Sequence, residues 1–298
     1  MESESANMSS LLPAELLERI FLLLQPRHLA SAVLVCRRWR EVGENPGLWS
    51  SLHLTVTEFS LPHLPELLGC GRLRRVRQLT LKAVSDQLLN QLADHTGHTR
   101  AASLKSLNMA NTNLSAVKVE VLVFAVLQVR EVVLRGSGLS LVQLNGLFTA
   151  LATCSPHLES LDLSELNLCQ VEPKLLTASL FQLEVVSLAR CRLTSLQLAS
   201  LCSSLSPSRA LRCLDLSHNN LSLLPPSLLA GAVACLRELQ LWGASLQPGH
   251  LNALCQAMAQ GGRLKRLDLT GNNLSSLEPG LLASGVGTLR EVTLVTPG

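Results

Sequence analysis

Residues 211–221 read LRCLDLSHNNL, and this pattern decides the fold of the chain. Leucines stand at its first, fourth and sixth positions, and another leucine follows five residues later. The same apolar spacing begins at Trp49, Val76, Leu104, Val129, Leu158, Leu183, Leu211, Leu236, Leu264 and Leu289. From Leu104 onward, successive starts lie alternately 25 and 28 or 29 residues apart, so the true period is a pair of units of 53 or 54 residues.

A pattern repeated at this length indicates leucine-rich repeats, in which each unit adds a strand and a helical segment to a solenoid. Long units carry a helical run such as HLNALCQAMA, whereas short units share a body such as PPSLLAG, which predicts a shorter helix or a 3₁₀ turn. Strands stack at ~4.8 Å while the helices behind them need roughly 10 Å, so the stack must bend. We therefore expect an α/β horseshoe over residues 49–298, with a parallel sheet inside and helices outside. The alternating units resemble the ribonuclease-inhibitor-like class.

Polar residues recur at two positions near the strand ends. Asn219 and Asn272 occupy the turn after the strand, where an amide can satisfy backbone groups, so we expect them to be structural. Three aspartates lie in equivalent LDL strands and form a potential carboxylate row: Asp162, Asp215 and Asp268. We favour a structural role for these aspartates over catalysis or metal binding, because aspartate is a common filler at this position in such repeats.

A second apolar segment precedes the repeats, at residues 11–52. Its first helical stripe contains Leu12, Leu16, Ile20, Phe21 and Leu24, spaced three or four residues apart. Four more leucines fall off this stripe: Leu11, Leu17, Leu22 and Leu23. A helix that is apolar nearly all round must be covered on more than one side. Either the segment only caps the repeats, or one of its faces is reserved for another protein.

This segment resembles an F-box. The motifs that carry the resemblance are LPAELL at residues 12–17, IFLLLQP at 20–26, VCRRWR at 35–40 and NPGLWSSL at 45–52. F-boxes bind the Skp adaptor subunit, and the resemblance implies that the adaptor interface and its supporting core comprise Leu12, Pro13, Leu16, Ile20, Phe21, Leu24, Pro26, Val35 and Trp39. Which of these residues contact the adaptor and which only pack inside the F-box stays open. Arg38 and its neighbouring arginines are expected to be solvated.

The two patterns divide the chain without a linker. We expect a disordered tail at residues 1–8, an F-box at residues 9–50 and about ten repeats over residues 49–298. Trp49 belongs to both patterns, which predicts a rigid junction. The last strand pattern is followed only by Val295 to Gly298, so we expect a nearly uncovered sheet edge that a partner could occupy.

Target binding is expected on the concave face of the sheet, to which the two residues after the last leucine of each pattern are assigned. Trp242 is a large aromatic residue among mostly small and polar ones, which makes it a candidate anchor for a protein substrate. Arg135, Arg190 and His218 lie near the same arc and could favour an acidic or phosphorylated segment, although the nearby Glu165 and aspartates dilute that positive charge.

Composition argues against several other classes of protein. The mean hydropathy is +0.29, yet no apolar run reaches the eighteen or so residues of a membrane span, and the polar N-terminus does not fit a signal peptide. The net charge is +3, and the densest basic run, RLRRVR at residues 72–77, has no interleaved aromatic residues, so we expect no nucleic acid partner. Nine cysteines without a CxxC pair, such as Cys154, Cys202 and Cys255 in apolar positions, suit a reducing cytoplasmic or nuclear compartment.

No motif for nucleotide binding, nucleophilic catalysis or zinc binding is present, so neither an enzyme, a metal nor a cofactor is expected. The resemblance instead implies a substrate-recognition subunit of an Skp–cullin–F-box ubiquitin ligase, bound to the Skp adaptor and through it to a cullin, and monomeric outside that complex. The alternative is a non-degradative scaffold that binds the adaptor without a cullin.

Overall fold

The computed structural model describes residues 12–24, 26–45, 47–48, 53–56, 77–81, 89, 104–154, 157–205, 210–275, 280, 287 and 289–294. The tail at residues 1–8, Trp49 and the last four residues lie outside these ranges, so the expectations placed on them stay predictions.

The sheet runs through the whole repeat region. Ten strands pair in parallel and in chain order, each hydrogen-bonded to the strand of the next unit. They are β1 His53–Val56, β2 Gln78–Leu81, β3 Ser106–Asn108, β4 Glu131–Val133, β5 Ser160–Asp162, β6 Val185–Ser187, β7 Cys213–Asp215, β8 Glu238–Gln240, β9 Arg266–Asp268 and β10 Glu291–Thr293. Equivalent residues of successive units face each other across the sheet, as Asp215 faces Gln240 and Gln240 faces Asp268. The α/β horseshoe expected from the repeats is confirmed.

Helices connect the strands on the outer side of the sheet. The N-terminal three are α1 Ala14–Leu22, α2 Pro26–Ala32 and α3 Arg37–Gly43, and six described helices lie between repeat strands: α4 Val119–Leu127, α5 Leu141–Thr153, α6 Pro173–Leu180, α7 Ser195–Ser203, α8 Pro226–Cys235 and α9 Pro248–Ala259. Helices of long units have 13, 9 and 12 residues, and those of short units have 9, 8 and 10. The alternative of a 3₁₀ turn is therefore wrong for these three short units. The long unit's α7, with 9 residues, is one residue shorter than the short unit's α8.

Two apolar clusters form the described core. The repeat cluster stacks the inward leucines of each strand, such as Leu161, Leu214 and Leu239, against leucines of the outer helices. The N-terminal cluster is separate and consists of Leu17, Phe21, Leu29, Ala32, Val33 and Leu48. Its helices are also joined by polar contacts, because Asn45 Nδ2 donates to Glu18 Oε1 over 2.6 Å and the Arg38 guanidinium donates to the carbonyl of Leu12. The expectation that Arg38 is simply solvated is therefore wrong.

Buried amides hold neighbouring repeats together. The Nδ2 atom of Asn219 donates to the carbonyl of Leu188 in the preceding unit over 2.8 Å, and its Oδ1 accepts from the Leu193 amide. Asn272 repeats both contacts with Leu241 and Leu246. Each asparagine thus satisfies backbone groups of two successive turns, and the structural role expected from the sequence is confirmed.

The described cysteines are free thiols in different environments. Cys202 and Cys255 are buried as expected, whereas Cys154 is exposed because it follows the last residue of α5, so its assignment to an apolar position is wrong. Burial raises the pKa of Cys191 and of Cys202 to about 12, which keeps both as unreactive thiols. Within the described ranges, no helix combines the length and the apolar character that a membrane span requires.

Candidate functional site

The N-terminal helices leave one apolar face uncovered. In α1, Leu17 and Phe21 face the cluster, while Leu16, Ile20, Leu22 and Leu23 are exposed. Leu34 and Val35, in the turn after α2, are exposed as well, with Val35 at 62%. We call these six residues the open F-box face. A small domain that exposes so much aliphatic surface carries the signature of an interaction site.

The residues implied by the F-box resemblance fall into three groups. Phe21 is buried and packs edge-on against Trp39, with ring centroids 5.4 Å apart, and Leu12, Leu24 and Trp39 are partly buried against the same cluster. Four others reach solvent: Pro13, Leu16, Ile20 and Val35. Pro26 begins α2, and its side chain lies outside the described part of the chain.

Sequence reasoning did not assign Leu22, Leu23 and Leu34 to the interface. Leu23 is 86% exposed and stands directly after the last residue of α1. The sequence did contain a sign of their exposure, because Leu22 and Leu23 fall off the apolar stripe of the first helix. It was not decisive, since the register of α1 against α2 and α3 decides which leucines are covered.

A second surface lies where the strands end. The four residues predicted on the concave face come together there in one row, with Glu165 between them, and we call this set the strand-exit row: Arg135, Glu165, Arg190, His218 and Trp242. The row lies beyond the strands, because β6 ends at Ser187 and Arg190 follows that end by three positions. The row therefore begins where the strands end, and its assignment to the concave face stays a prediction.

Three contacts join members of the row. Arg135 Nη2 lies 2.7 Å from Glu165 Oε1, and Arg190 Nη2 lies 3.2 Å from His218 Nε2. The His218 ring meets the Trp242 indole edge-on, with centroids 4.4 Å apart. Trp242 remains 47% exposed, so a large aromatic surface is presented beside a polar ladder. Such a rigid, half-exposed indole is suited to anchoring a partner.

The backbone fixes the row in place. Glu165, Arg190 and His218 adopt left-handed φ angles of 64°, 57° and 57°. Gly243 and Gly271 adopt the same conformation in the next two turns. The Trp242 amide also donates to Ser217 Oγ over 3.2 Å, so the indole starts from a backbone held by the preceding repeat.

Neutralisation within the row weakens its positive charge. The hydrogen bond from Arg135 holds the pKa of the Glu165 carboxyl below its usual value, and the same bond raises the pKa of Arg135. Desolvation, followed by the charge of Arg190, lowers the pKa of His218, while Asp215 opposes this shift. This shift favours the neutral form of the His218 ring. An acidic partner would meet two arginines and one glutamate here, not a strongly cationic patch.

The aspartates of the LDL strands act within their own turns. Asp162, Asp215 and Asp268 each accept, through Oδ1, a hydrogen bond from the amide two residues later, at 2.8, 2.9 and 2.9 Å. Asp215 additionally accepts from Ser187 Oγ over 3.0 Å. These contacts give the aspartates the structural role that we favoured. The described residues contain no group of histidines, cysteines and carboxylates suited to a metal ion.

Comparisons with known proteins agree with these modules. The F-box-like family matches residues 9–55, and the Leucine Rich Repeat family matches residues 210–231 and 263–284. No curated protein sequence matches the chain. Among solved structures, the leucine-rich-repeat protein LegL7 from Legionella pneumophila shares 18% identity over 85% of this chain and 88% of its own, with a TM-score of 0.52, which supports the fold.

Two more distant structures are also similar. The yeast Rad7 and Elc1 complex has 15% identity over 79% of this chain and 76% of that chain, with a TM-score of 0.42. A leucine-rich-repeat protein of Leptospira interrogans has 14% identity over 89% and 77%, with a TM-score of 0.38.

Proposed function

We propose that this chain, which matches the F-box-like and Leucine Rich Repeat families, is a substrate-recognition subunit of an Skp–cullin–F-box ubiquitin ligase. The open F-box face would bind the Skp adaptor, and the repeats would bind a protein target. The chain would then contribute recognition and no catalytic step, since holding a target beside the ubiquitin donor raises its effective concentration.

The observation that carries this proposal is the uncovered state of the open F-box face. Burying a fully exposed leucine side chain is worth about 1.5–3 kcal/mol. Six exposed aliphatic side chains, in and directly after α1 and in the turn after α2, therefore leave a large free energy unrealised until a partner covers them. Leu17 and Phe21 are buried in the N-terminal cluster, and this core holds the exposed side chains in position.

Co-purification with the Skp adaptor tests the proposal. The full chain should retain the adaptor, and Leu23→Asp should abolish this binding because a carboxylate would have to be desolvated in the interface. Leu223→Asp is the matched control, since Leu223 is 77% exposed in a repeat loop and should tolerate the change with adaptor binding intact. A wild-type chain that fails to retain the adaptor would refute the F-box assignment.

Adding the cullin separates the ligase from the scaffold alternative. A ternary complex of chain, adaptor and cullin is expected for a ligase subunit, whereas adaptor binding that excludes the cullin would favour a non-degradative scaffold. We place the protein in the cytoplasm or nucleus. The free state of the described cysteines supports this placement, because thiols stay reduced in those compartments.

Trp242 is proposed as the anchor for the target. Trp242→Ala should reduce the proteins that co-purify with the chain–adaptor complex several-fold, because truncating an interface hot spot costs about 2 kcal/mol or more. Adaptor recovery should be unchanged. Phe124→Ala is the control, since Phe124 is an aromatic residue with a similar exposed fraction of 43% on the outer helix α4. Equal loss in both variants, or no loss in either, would remove Trp242 from the target site.

A further inference from the structure

A column of charged side chains marks the edge at which the strands begin, opposite the strand-exit row. Each strand from β2 to β10 is preceded directly by a charged residue. This strand-entry column consists of Arg77, Lys105, Arg130, Glu159, Glu184, Arg212, Arg237, Lys265 and Arg290.

Backbone hydrogen bonds place the members of the column side by side. The Arg237 amide donates to the Arg212 carbonyl over 2.7 Å, the Lys265 amide donates to the Arg237 carbonyl over 2.7 Å, and the Arg290 amide donates to the Lys265 carbonyl over 2.8 Å. Adjacent members are therefore one strand spacing apart, about 4.8 Å. All four side chains project from exposed residues.

The middle of the column is neutralised internally, but its C-terminal end is not. Glu159 pairs with Arg130 at 2.9 Å, and Glu184 pairs with Arg212 at 3.8 Å. Arg237, Lys265 and Arg290 have no side-chain ion pair with any described residue. They form a strip of three neighbouring positive charges.

The nearest carboxylates on the sheet are engaged elsewhere. Glu238 lies 3.0 Å from Arg266, and Glu291 lies 3.8 Å from the same guanidinium. Like charges at one strand spacing repel each other, and this repulsion is relieved when anionic groups of a ligand lie against the strip. The strip is thus better suited to an acidic ligand than the strand-exit row, in which Glu165 already pairs with Arg135.

We propose that Arg237, Lys265 and Arg290 bind an acidic segment of the target protein. The inference rests on the proposed function, because it assigns the repeats to target binding. Trp242 lies five residues beyond Arg237, about 16 Å along an extended chain, so one target segment can place carboxylates on the strip and an apolar side chain on the indole.

The observations favour a peptide over a nucleic acid. Glu238, Asp268 and Glu291 stand on the sheet beside the strip, so the unpaired positive charge is confined to three positions and does not form the long path that a continuous phosphate backbone would follow. No aromatic residue interleaves with the strip to stack on bases, as single-stranded nucleic acid sites require. A short acidic peptide places its charge locally and avoids both problems.

Fluorescence anisotropy with the full chain tests the inference, using a short labelled polyglutamate peptide as the probe. The wild-type chain should bind the peptide, and binding should weaken as ionic strength rises. Lys265→Glu should weaken binding about tenfold at low salt, because it converts attraction to repulsion at the centre of the strip. Lys174→Glu is the matched control on the outer helix α6 and should leave the affinity unchanged.

Other results would overturn the inference. These are absence of peptide binding by the wild-type chain, equal weakening by both substitutions, or tighter binding of a single-stranded oligonucleotide of equal charge. Co-purification of the Lys265→Glu variant with the adaptor checks that this variant is folded. If the reversed charge disturbs the fold, Lys265→Gln replaces it in the binding measurement. Failure of the wild-type chain to bind the adaptor, with lysine-dependent peptide binding intact, would refute the ligase proposal and leave the acidic site standing.

Discussion

Gln143, Gln197 and His250 occupy the same buried place in three long units, at the third residue of α5, α7 and α9. Each side chain reaches back to the amide of the residue before its helix. The other polar atom of each side chain faces the preceding unit. In Gln197 this atom is Nε2, which donates to the carbonyls of Leu168 and Val171, both over 2.7 Å. One side chain thus caps its own helix and joins two repeats.

Gln197→Ala should therefore lower the free energy of unfolding by about 3 kcal/mol, because the carbonyls of Leu168 and Val171 and the Thr194 amide each lose a hydrogen bond. Urea denaturation of the full chain measures the loss. Gln256→Ala in α9 is the control, since this exposed glutamine should change stability by no more than about 0.5 kcal/mol. Similar values for the two variants would show that the carbonyls are satisfied in another way.

For single residues, the sequence predicted a structural role only where the residue type was unusual for its position. Asn219 and Asn272 could be assigned to the turns because asparagine is selected there for its amide. Gln197 looked like an ordinary polar residue of an amphipathic helix. Its burial depends on the path of the preceding unit, which residue identity in one unit does not reveal.

Among the elements, the turns after the strands carry the most backbone strain. Glu165, Arg190 and His218 hold the left-handed position in three successive turns, and Gly243 and Gly271 hold it in the next two. A β-carbon on Gly243 would stand 2.9 Å from His218 Nδ1, and one on Gly271 would stand 3.0 Å from the Trp242 ring. The glycines thus make room for the strand-exit row.

Gly243→Ala should destabilise the chain by about 2 kcal/mol, since it adds a clash with His218 to left-handed strain of about 1 kcal/mol. Gly261→Ala provides the comparison, because Gly261 also has a positive φ, of 91°, but no atom lies within 4 Å of its added β-carbon. Urea denaturation gives the two costs, and the NMR signals of the His218 ring should shift only in Gly243→Ala. Equal costs with an unmoved ring would show that the turn accommodates the methyl group.

The elements themselves were largely predictable, because the apolar spacing repeats in register. Strand order and the parallel sheet follow from stacking equivalent units. The position of the strand-exit row did not follow, since residues after the last leucine look like a continuation of the strand. The left-handed turns at Glu165, Arg190 and His218 set the row just beyond the strand ends.

For the whole molecule, the two described cores determine how far the destabilising effect of a mutation extends. Among the described residues, which leave out the junction at 49–52, the F-box cluster around Phe21 shares no buried residue with the repeat cluster. Repeat solenoids are stabilised mainly by contacts between neighbouring units, so a defect spreads only as far as those contacts carry it. Damage to the F-box core should therefore leave the distant repeats intact.

Phe21→Ala tests this separation. Phe21 is buried against Trp39, and its truncation should cost the F-box about 3 kcal/mol or more, which a domain of this size cannot absorb. Hydrogen exchange measured by mass spectrometry should show lost protection across α1, α2 and α3, together with lost adaptor binding, while β5 to β9 exchange as in the wild type. Leu23→Ala, which removes an exposed side chain, should weaken adaptor binding without changing exchange in the free protein. Faster exchange in β5 to β9 of Phe21→Ala would mean that the two cores fold as one unit, as the double use of Trp49 in the sequence predicts.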